Sequence, residues 1–141
     1  MLALLSDLNK INKLEVTKPA DGVYSGVMRQ GTFIAADGTA VEDGHAGYAI
    51  WNEDNGADNT WSPDVAATGK VTVLLGGYRC KTNQYAGTPA VGDALTLNTS
   101  GQLKAATMDG TDNIVGYVLE EAAADFAYKG STYTVLHVHI I

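Results

Sequence analysis

The side chains of this sequence that could bind a metal ion most directly are its three histidines. His137 and His139 lie two residues apart in a segment with strand-like alternation, so both should project from one face of a β-strand. A zinc site needs a third protein ligand, and His45, the remaining histidine, lies far away in the sequence. We therefore predict no metal site, and expect His137 and His139 to be half-buried and hydrogen-bonded or to lie at a subunit interface.

Residues 52–63 are rich in Asp, Asn and Gly, and so carry the oxygen ligands that calcium prefers. The EF-hand loop has acidic ligands at positions 1, 3 and 5 and glycine at position 6, whereas here a glycine follows Asp54 by only two residues. The same residue types form ordinary exposed turns. We predict a long exposed loop and assign it no metal, with binding of an ion or a glycan as the open alternative. The candidate ligands are Asp54, Asn55, Asp58 and Asn59.

Nucleophilic catalysis needs an activated serine or cysteine, and no recognisable motif supplies one. Cys80 lies between Arg79 and Lys81, whose charges would lower the pKa of a thiol. Neighbours on a strand point to opposite faces, however, so we predict that Cys80 is a small residue in or beside a strand. The sequence contains no Gly-x-Ser-x-Gly, phosphate loop, His-Glu-x-x-His or Cys-x-x-Cys. We predict a protein that is not an enzyme and has no cofactor, with a small β-rich enzyme as the third-ranked alternative.

Length and charge limit the class of protein further. A chain of 141 residues fits one domain and can fold without disulfides. Its formal net charge of −7 and pI of about 4.7 disfavour binding to nucleic-acid phosphates. No stretch approaches the roughly 18 apolar residues of a membrane helix, and the apolar run Met1–Leu5 ends at Ser6. We predict neither a nucleic-acid nor a membrane partner, and expect Met1–Leu5 to belong to the mature protein.

Residues that favour turns occur at short intervals along most of the chain. It has 16 glycines, and the runs between them are rich in Val, Thr and Tyr, which favour pleated strands. Many short strands without helices between them are typical of a sandwich or barrel. We predict an all-β fold, a single small β-barrel or β-sandwich of jelly-roll or tulip-like form with a short N-terminal helix or arm. The predicted strands are Val23–Met28, Thr32–Ala36, Gly47–Trp51, Lys70–Leu75, Tyr78–Thr82, Ala94–Leu97, Gln102–Ala105, Asn113–Glu120 and Ser131–Ile141.

The last predicted strand is long and alternates regularly. A long apolar strand with a free edge would invite aggregation. We therefore predict that Thr132–Ile140 lies in the middle of a sheet and not at its edge.

The N-terminal segment departs from the strand pattern, because its apolar residues recur at helical spacing. We predict a short amphipathic helix over Leu4–Leu14, inside an N-terminal arm of residues 1–18 that precedes a β domain of residues 19–141. Such a short helix is marginal in water, so it must pack on something. Either it contacts another chain or it folds back over its own domain, and both alternatives stay open. Its apolar stripe consists of Leu4, Leu8 and Ile11.

Two tryptophans, Trp51 and Trp61, bracket the polar loop. One of them is expected in the core under the sheet. Aromatic rings beside acidic and amide groups also suit sugar binding, and tryptophan is enriched in protein interfaces. We therefore include both tryptophans, with Leu4, Leu8 and Ile11, as candidate partner-binding residues.

The C-terminal half follows an order of turns and strands that resembles the head decoration and cement proteins of tailed bacteriophages. Over Gly87–Ala106 a Gly-Asp turn leads into a strand, and a Gly turn makes a hairpin followed by an Ala-rich stretch. Over Asn113–Ala122 an Ile-Val-Gly-Tyr-Val-Leu strand follows, and the chain closes on the strand Ser131–Ile141.

The resemblance implies a structural protein that binds the outer surface of a phage head and stabilises the shell without catalysis. It implies the major capsid protein as partner, location on the virion capsid surface after synthesis in the host cytoplasm, and attachment through an N-terminal arm. Capsid lattices have local twofold and threefold axes, so we expect a homo-oligomer, either a trimer or a dimer. The alternative function is a carbohydrate-binding β module of a phage fibre or adhesion structure, with Trp51 and Trp61 as stacking platforms.

Overall fold

In a computed structural model of the protein, the described residues are 1–18, 31–51, 63–128 and 130–141. Within these ranges the chain forms ten strands, one short helix and one 3-10 turn, so the predicted all-β fold is confirmed. The strands are β1 (Leu2–Leu4), β2 (Lys13–Thr17), β3 (Phe33–Ile34), β4 (Tyr48–Trp51), β5 (Lys70–Leu74), β6 (Tyr78–Thr82), β7 (Ala94–Leu97), β8 (Leu103–Ala105), β9 (Gly116–Tyr128) and β10 (Ser131–Ile140). The 3-10 turn is Leu8–Lys10 and the helix, α1, is Pro63–Thr68.

The larger sheet has six strands in the order β1-β6-β10-β9-β7-β8 and is curled. The C-terminal strand β10 pairs antiparallel with β6 on one side and with β9 on the other. The prediction that this strand lies centrally is therefore confirmed for Leu136–Ile140, whereas Ser131–Val135 pair with β9 alone among the described strands. The predicted hairpin before it is also present, as β7 and β8 pair from Leu95↔Ala105 to Leu97↔Leu103.

The smaller sheet has four strands in the order β2-β5-β4-β3, and its strand β4 is buried on both faces from Ala49 to Trp51. Along β4, Ala49 and Trp51 belong to the main core, while Ile50 packs in a second cluster with Val65 of α1. This alternation is what a strand period of two produces when each face meets an apolar layer. The main core lies between the two sheets, since it joins Trp51 of the small sheet to Leu136 and other residues of the large one.

The prediction of a helix over Leu4–Leu14 is wrong. This stretch forms β1, the 3-10 turn and the start of β2, and β1 pairs with β6 while β2 pairs with β5. Asp7 caps the 3-10 turn by accepting a hydrogen bond from the Asn9 amide at 3.0 Å. An isolated helix of this length is only marginally stable in water. Two strands that join existing sheets gain backbone hydrogen bonds to a neighbouring strand. Residues 1–18 thus supply one strand to each sheet.

Two other predictions fall on residues that the structure does not describe. The predicted strand Val23–Met28 lies outside the described residues, and so does the predicted loop 52–63 except for Pro63, where α1 begins.

The β9–β10 hairpin is longer than the sequence predicted, because β9 continues past Glu120 to Tyr128. Its inner half, residues 116–118 and 136–140, is held between neighbouring strands. In its outer half, residues 119–128 and 130–134, β9 and β10 pair only with each other among the described strands. The pairing register between β9 and β10 shifts between Tyr133 and Thr134 and at two places between Val135 and Val138. Such shifts mark β-bulges, which bend a strand locally.

Candidate binding surface

The two C-terminal histidines lie on β10, and both are half-buried. Atom Nδ1 of His137 lies 3.3 Å from Oε2 of Glu120, within reach of an ion pair. The expected half-burial of both histidines is confirmed. Neither ring nitrogen of His137 makes a hydrogen bond with a described residue, so the expected hydrogen bonding is not found for this histidine. His45 instead faces Glu42, with 3.6 Å between Nε2 and Oε2. Among the residues that the structure describes, no group of three or more His, Cys, Asp or Glu could hold a metal ion.

Cys80 lies in β6 with no exposed surface, as the small-residue interpretation predicted. Burial raises the pKa of its thiol to about 12, although the nearby Met1 amine acts in the opposite direction. The thiol is therefore protonated at neutral pH. Of its sequence neighbours, Arg79 is exposed and Lys81 binds Asp125 through a 2.6 Å ion pair.

The described candidate partner-binding residues lie in or against the protein's own core. Ile11 and Trp51 are 6% and 8% exposed in the main core, and Leu4 and Leu8 pack against it. Trp61 lies outside the described residues. The apolar stripe of the N-terminal segment therefore covers this chain's interior, which corresponds to the alternative in which the segment folds back on its own domain.

An apolar patch that sequence reasoning missed lies where β9 meets the loop before β7. We define the apolar patch as Val91, Tyr117 and Leu119, which are 59%, 42% and 38% exposed. Tyr117 and Leu119 flank the buried Val118, whose backbone accepts a hydrogen bond from the Gly92 amide at 3.0 Å. The loop that carries Val91 is thereby fixed beside β9. The sequence signal for this patch was that Tyr117 and Leu119 alternate with Val118 and so share one face of a strand. The alternation alone does not show which face is exposed to water.

A cleft of about 330 Å³ opens next to this patch, between the loop and β9. The loop has a defined shape, because the Ala86 amide donates to the carbonyl of Leu103 at 2.8 Å and the Ala90 amide donates to the Asp93 carboxylate at 2.9 Å. An aromatic ring, a prolyl ring and a carboxylate thus meet in one concave place. The lining residues are Tyr85, Gly87, Thr88, Pro89, Ala90, Glu121 and Ala122.

The cleft lies where β9 loses its second neighbour. β7 pairs with β9 only at Gly116 and Tyr117, and beyond Val118 the described partner of β9 is β10 alone. Every residue from Leu119 to Asp125 is exposed. We call residues 119–125 the free edge of β9. A strand edge of this kind presents unpaired backbone donors and acceptors to whatever approaches it.

Two of the three carboxylates on the free edge already have partners inside the molecule. Glu120 lies beside His137, and Asp125 binds Lys81 across the sheet. Glu121 lines the cleft. The arrangement is suited to binding an extended chain or an apolar surface.

None of the described helices is long and apolar enough to span a membrane. In comparisons with known proteins, no family model matches this chain, and no curated protein or solved structure matches it either. The assignment of function therefore depends on the sequence pattern and on the geometry of this surface.

Proposed function

We propose that this protein is a capsid decoration or cement protein that binds the outer surface of a phage head and stabilises the shell. The major capsid protein is its partner, and the virion surface is its location. The observation that carries the proposal is the apolar patch of Val91, Tyr117 and Leu119, three large side chains exposed around one point of a well-paired sheet. Exposed apolar groups of this kind favour burial against another protein.

A two-sheet domain of this kind suits a cement protein physically. Such a protein must present a surface in a fixed shape, because ordering a flexible segment on binding costs about 1–2 kcal/mol per residue. The loop beside β9 is fixed by backbone hydrogen bonds to Val118 and Leu103, so little ordering remains to be done when it docks. Weak single contacts then suffice, because many copies bind one particle and oligomers bind it with avidity.

The decisive experiment is cryo-electron microscopy of the phage particle from which this chain comes. Quantitative mass spectrometry of the same particle counts the copies of each subunit. We expect hundreds of copies on the outside of the head. A chain found only in the tail, in a few copies, or absent from the particle would contradict the proposal.

A matched pair of variants tests the patch in a binding assay with undecorated shells. The double change Tyr117→Ser and Leu119→Ser should weaken cosedimentation with shells by roughly tenfold or more, because it removes central apolar contacts. Leu14→Ser is the control, since Leu14 is 45% exposed on β2 of the other sheet. Equal binding by both variants would exclude the patch as the docking surface.

The second candidate function is carbohydrate binding by a β module of a phage fibre or adhesion structure. Trp51, one of its two stacking platforms, is buried in the main core, which weakens this candidate. The cleft with Tyr85, Thr88 and Glu121 is the described feature that could replace it, since an aromatic ring beside polar groups suits a sugar. A glycan array with Tyr85→Ala as the negative control distinguishes the two functions.

A further inference from the structure

The outer face of the large sheet concentrates positive side chains on an acidic molecule. Strand β6 and residues 136–140 of β10 bury every second side chain in the core, so the alternate side chains point outward. Four of the outward side chains are cationic or become so when protonated, namely Arg79, Lys81, His137 and His139. The whole chain has 9 Lys and Arg against 16 Asp and Glu, so this face differs in charge from the molecule as a whole.

The strand register arranges these side chains in two rows across the sheet. In one row Lys81 faces His137, and His137 faces Glu120. Carboxylates of the same molecule already lie beside both of these basic groups. Lys81 binds Asp125 through the 2.6 Å ion pair, and Nδ1 of His137 lies 3.3 Å from Oε2 of Glu120. This row is therefore compensated within the molecule.

The other row is not compensated in this way. Arg79 faces His139, and His139 faces Tyr117. Among the described residues, neither the Arg79 nor the His139 side chain has a carboxylate or hydrogen-bond partner. Strand β6 pairs with β1 on one side and β10 on the other, so the backbone that carries Arg79 is held in place. A guanidinium held in this way can bind a carboxylate of another chain through two parallel hydrogen bonds.

Exposed apolar side chains lie at both ends of the uncompensated row. At one end the Leu5 amide donates to the carbonyl of Arg79 at 2.9 Å. Leu4 packs against the core, so its neighbour Leu5 points outward and is 44% exposed. At the other end Tyr117 belongs to the apolar patch. We call Leu5, Arg79, His139 and Tyr117 the basic row.

The composition of the basic row fits a protein partner. Arginine and tyrosine are enriched among the residues that dominate protein interfaces. A nucleic acid would instead be repelled by the formal net charge of −7 on the whole chain. Two uncompensated basic side chains between apolar ones complement a carboxylate that has apolar neighbours.

We propose that the basic row binds an acidic segment of the shell protein. A carboxylate of that segment contacts Arg79 and His139, and its apolar neighbours contact Leu5 and Tyr117. The inference rests on the proposed function, because the row continues the apolar patch through Tyr117, and it adds the chemistry of the partner. It also gives the molecule an orientation, since the remaining acidic surface is repelled by an acidic shell segment while this face is attracted to it.

Charge reversal in the basic row tests the inference in the cosedimentation assay with undecorated shells. Arg79→Glu should weaken binding by roughly tenfold or more, because two carboxylates would then face each other. The control is Lys70→Glu, which changes the net charge equally at an exposed position of β5 in the other sheet. The control should alter binding by less than about twofold. Equal weakening by the two variants would overturn the inference, since net charge alone would then explain both results.

The salt dependence of binding separates this inference from the proposed function. Wild-type affinity for shells should fall as salt is raised, and Arg79→Gln should make that fall shallower. Thermal unfolding shows whether these exposed substitutions leave the fold intact. If wild-type protein binds shells but Arg79→Gln keeps the full salt dependence, the inference is overturned and the proposed function stands. If wild-type protein binds no shells at any salt concentration, the proposed function is overturned, and this inference with it.

Discussion

The two halves of the β9–β10 hairpin belong to the same strands but differ in their surroundings. In the inner half, Leu136 and Val138 are fully buried and β10 has a partner strand on each side. In the outer half, Ala122 to Ala124 are exposed, and each strand pairs with the other alone among the described strands. One pair of strands thus forms part of the core at one end and leaves an exposed strand edge at the other. The difference arises from neighbours, since the strand pairing itself continues throughout.

Truncation of a core leucine should give the largest effect. Leu136→Ala removes a fully buried side chain from the main core, and we expect the free energy of unfolding to fall by about 2–5 kcal/mol. Leu119→Ala, in the outer half, should change it by no more than about 0.5 kcal/mol. Urea denaturation followed by circular dichroism measures both. Similar losses for the two variants would mean that the halves are not energetically distinct.

The buried amine of Met1 should make stability depend on pH. The amine donates to Oδ1 of Asn83 at 2.7 Å, and burial lowers its pKa to about 5 from 8.0. The unfolded chain then binds a proton between pH 8 and pH 5 that the folded chain does not bind. Stability should therefore fall with decreasing pH across this window, by up to roughly 1.4 kcal/mol per pH unit. Above pH 8 the amine is neutral in both states and its penalty disappears.

The control for this prediction is Asn83→Asp. A carboxylate beside the amine favours the protonated form, so the slope of stability against pH should become shallower. Thermal melting points measured from pH 5 to pH 8 for both proteins provide the comparison. An unchanged slope would show that other groups, such as the histidines, cause the pH dependence.

Glycine substitutions in two turns should separate packing from backbone conformation. Gly101 and Gly130 both have positive φ, of 70° and 79°. A Cβ on Gly101 would collide with the carbonyl oxygen of Phe33, whereas a Cβ on Gly130 would meet no described atom within 4 Å. Gly130→Ala should cost about 1–2 kcal/mol for the left-handed backbone alone, and Gly101→Ala should cost more. Equal melting points for the two variants would contradict this.

The ion pair between Lys81 and Asp125 should give the smallest effect. It joins the outer half of the hairpin to β6, with 2.6 Å between Nζ and Oδ2, and its side chains are 22% and 41% exposed. Lys81→Met should lower the free energy of unfolding by no more than about 1 kcal/mol, and by less in high salt. The rate of amide hydrogen exchange in residues 122–128 should nevertheless increase in the Lys81→Met variant. No change there would mean that the pair does not restrain the outer half.

Much of the fold could be predicted from local patterns. The run Lys70–Leu75 and the hairpin between Ala94 and Ala105 carry β-branched and apolar residues with turn residues between them, and they form β5, β7 and β8 nearly as predicted. The outer part of β9 could not be predicted, because its alanines have little strand preference. In the structure Ala123 and Ala124 are extended and pair with β10.

The sequence by itself determined the all-β class and the central place of the apolar end of the last strand, Leu136–Ile140, because these follow from the two-residue period and from the cost of a free apolar edge. Only the tertiary structure decided the conformation of the N-terminal segment and the position of the exposed apolar patch. The spacing of Leu4, Leu8 and Ile11 fits a helix, but the same residues also reach the core from a strand and a turn. The exposed state of Tyr117 and Leu119 likewise depends on which strands end beside β9, and the ends of distant strands are set by three-dimensional packing.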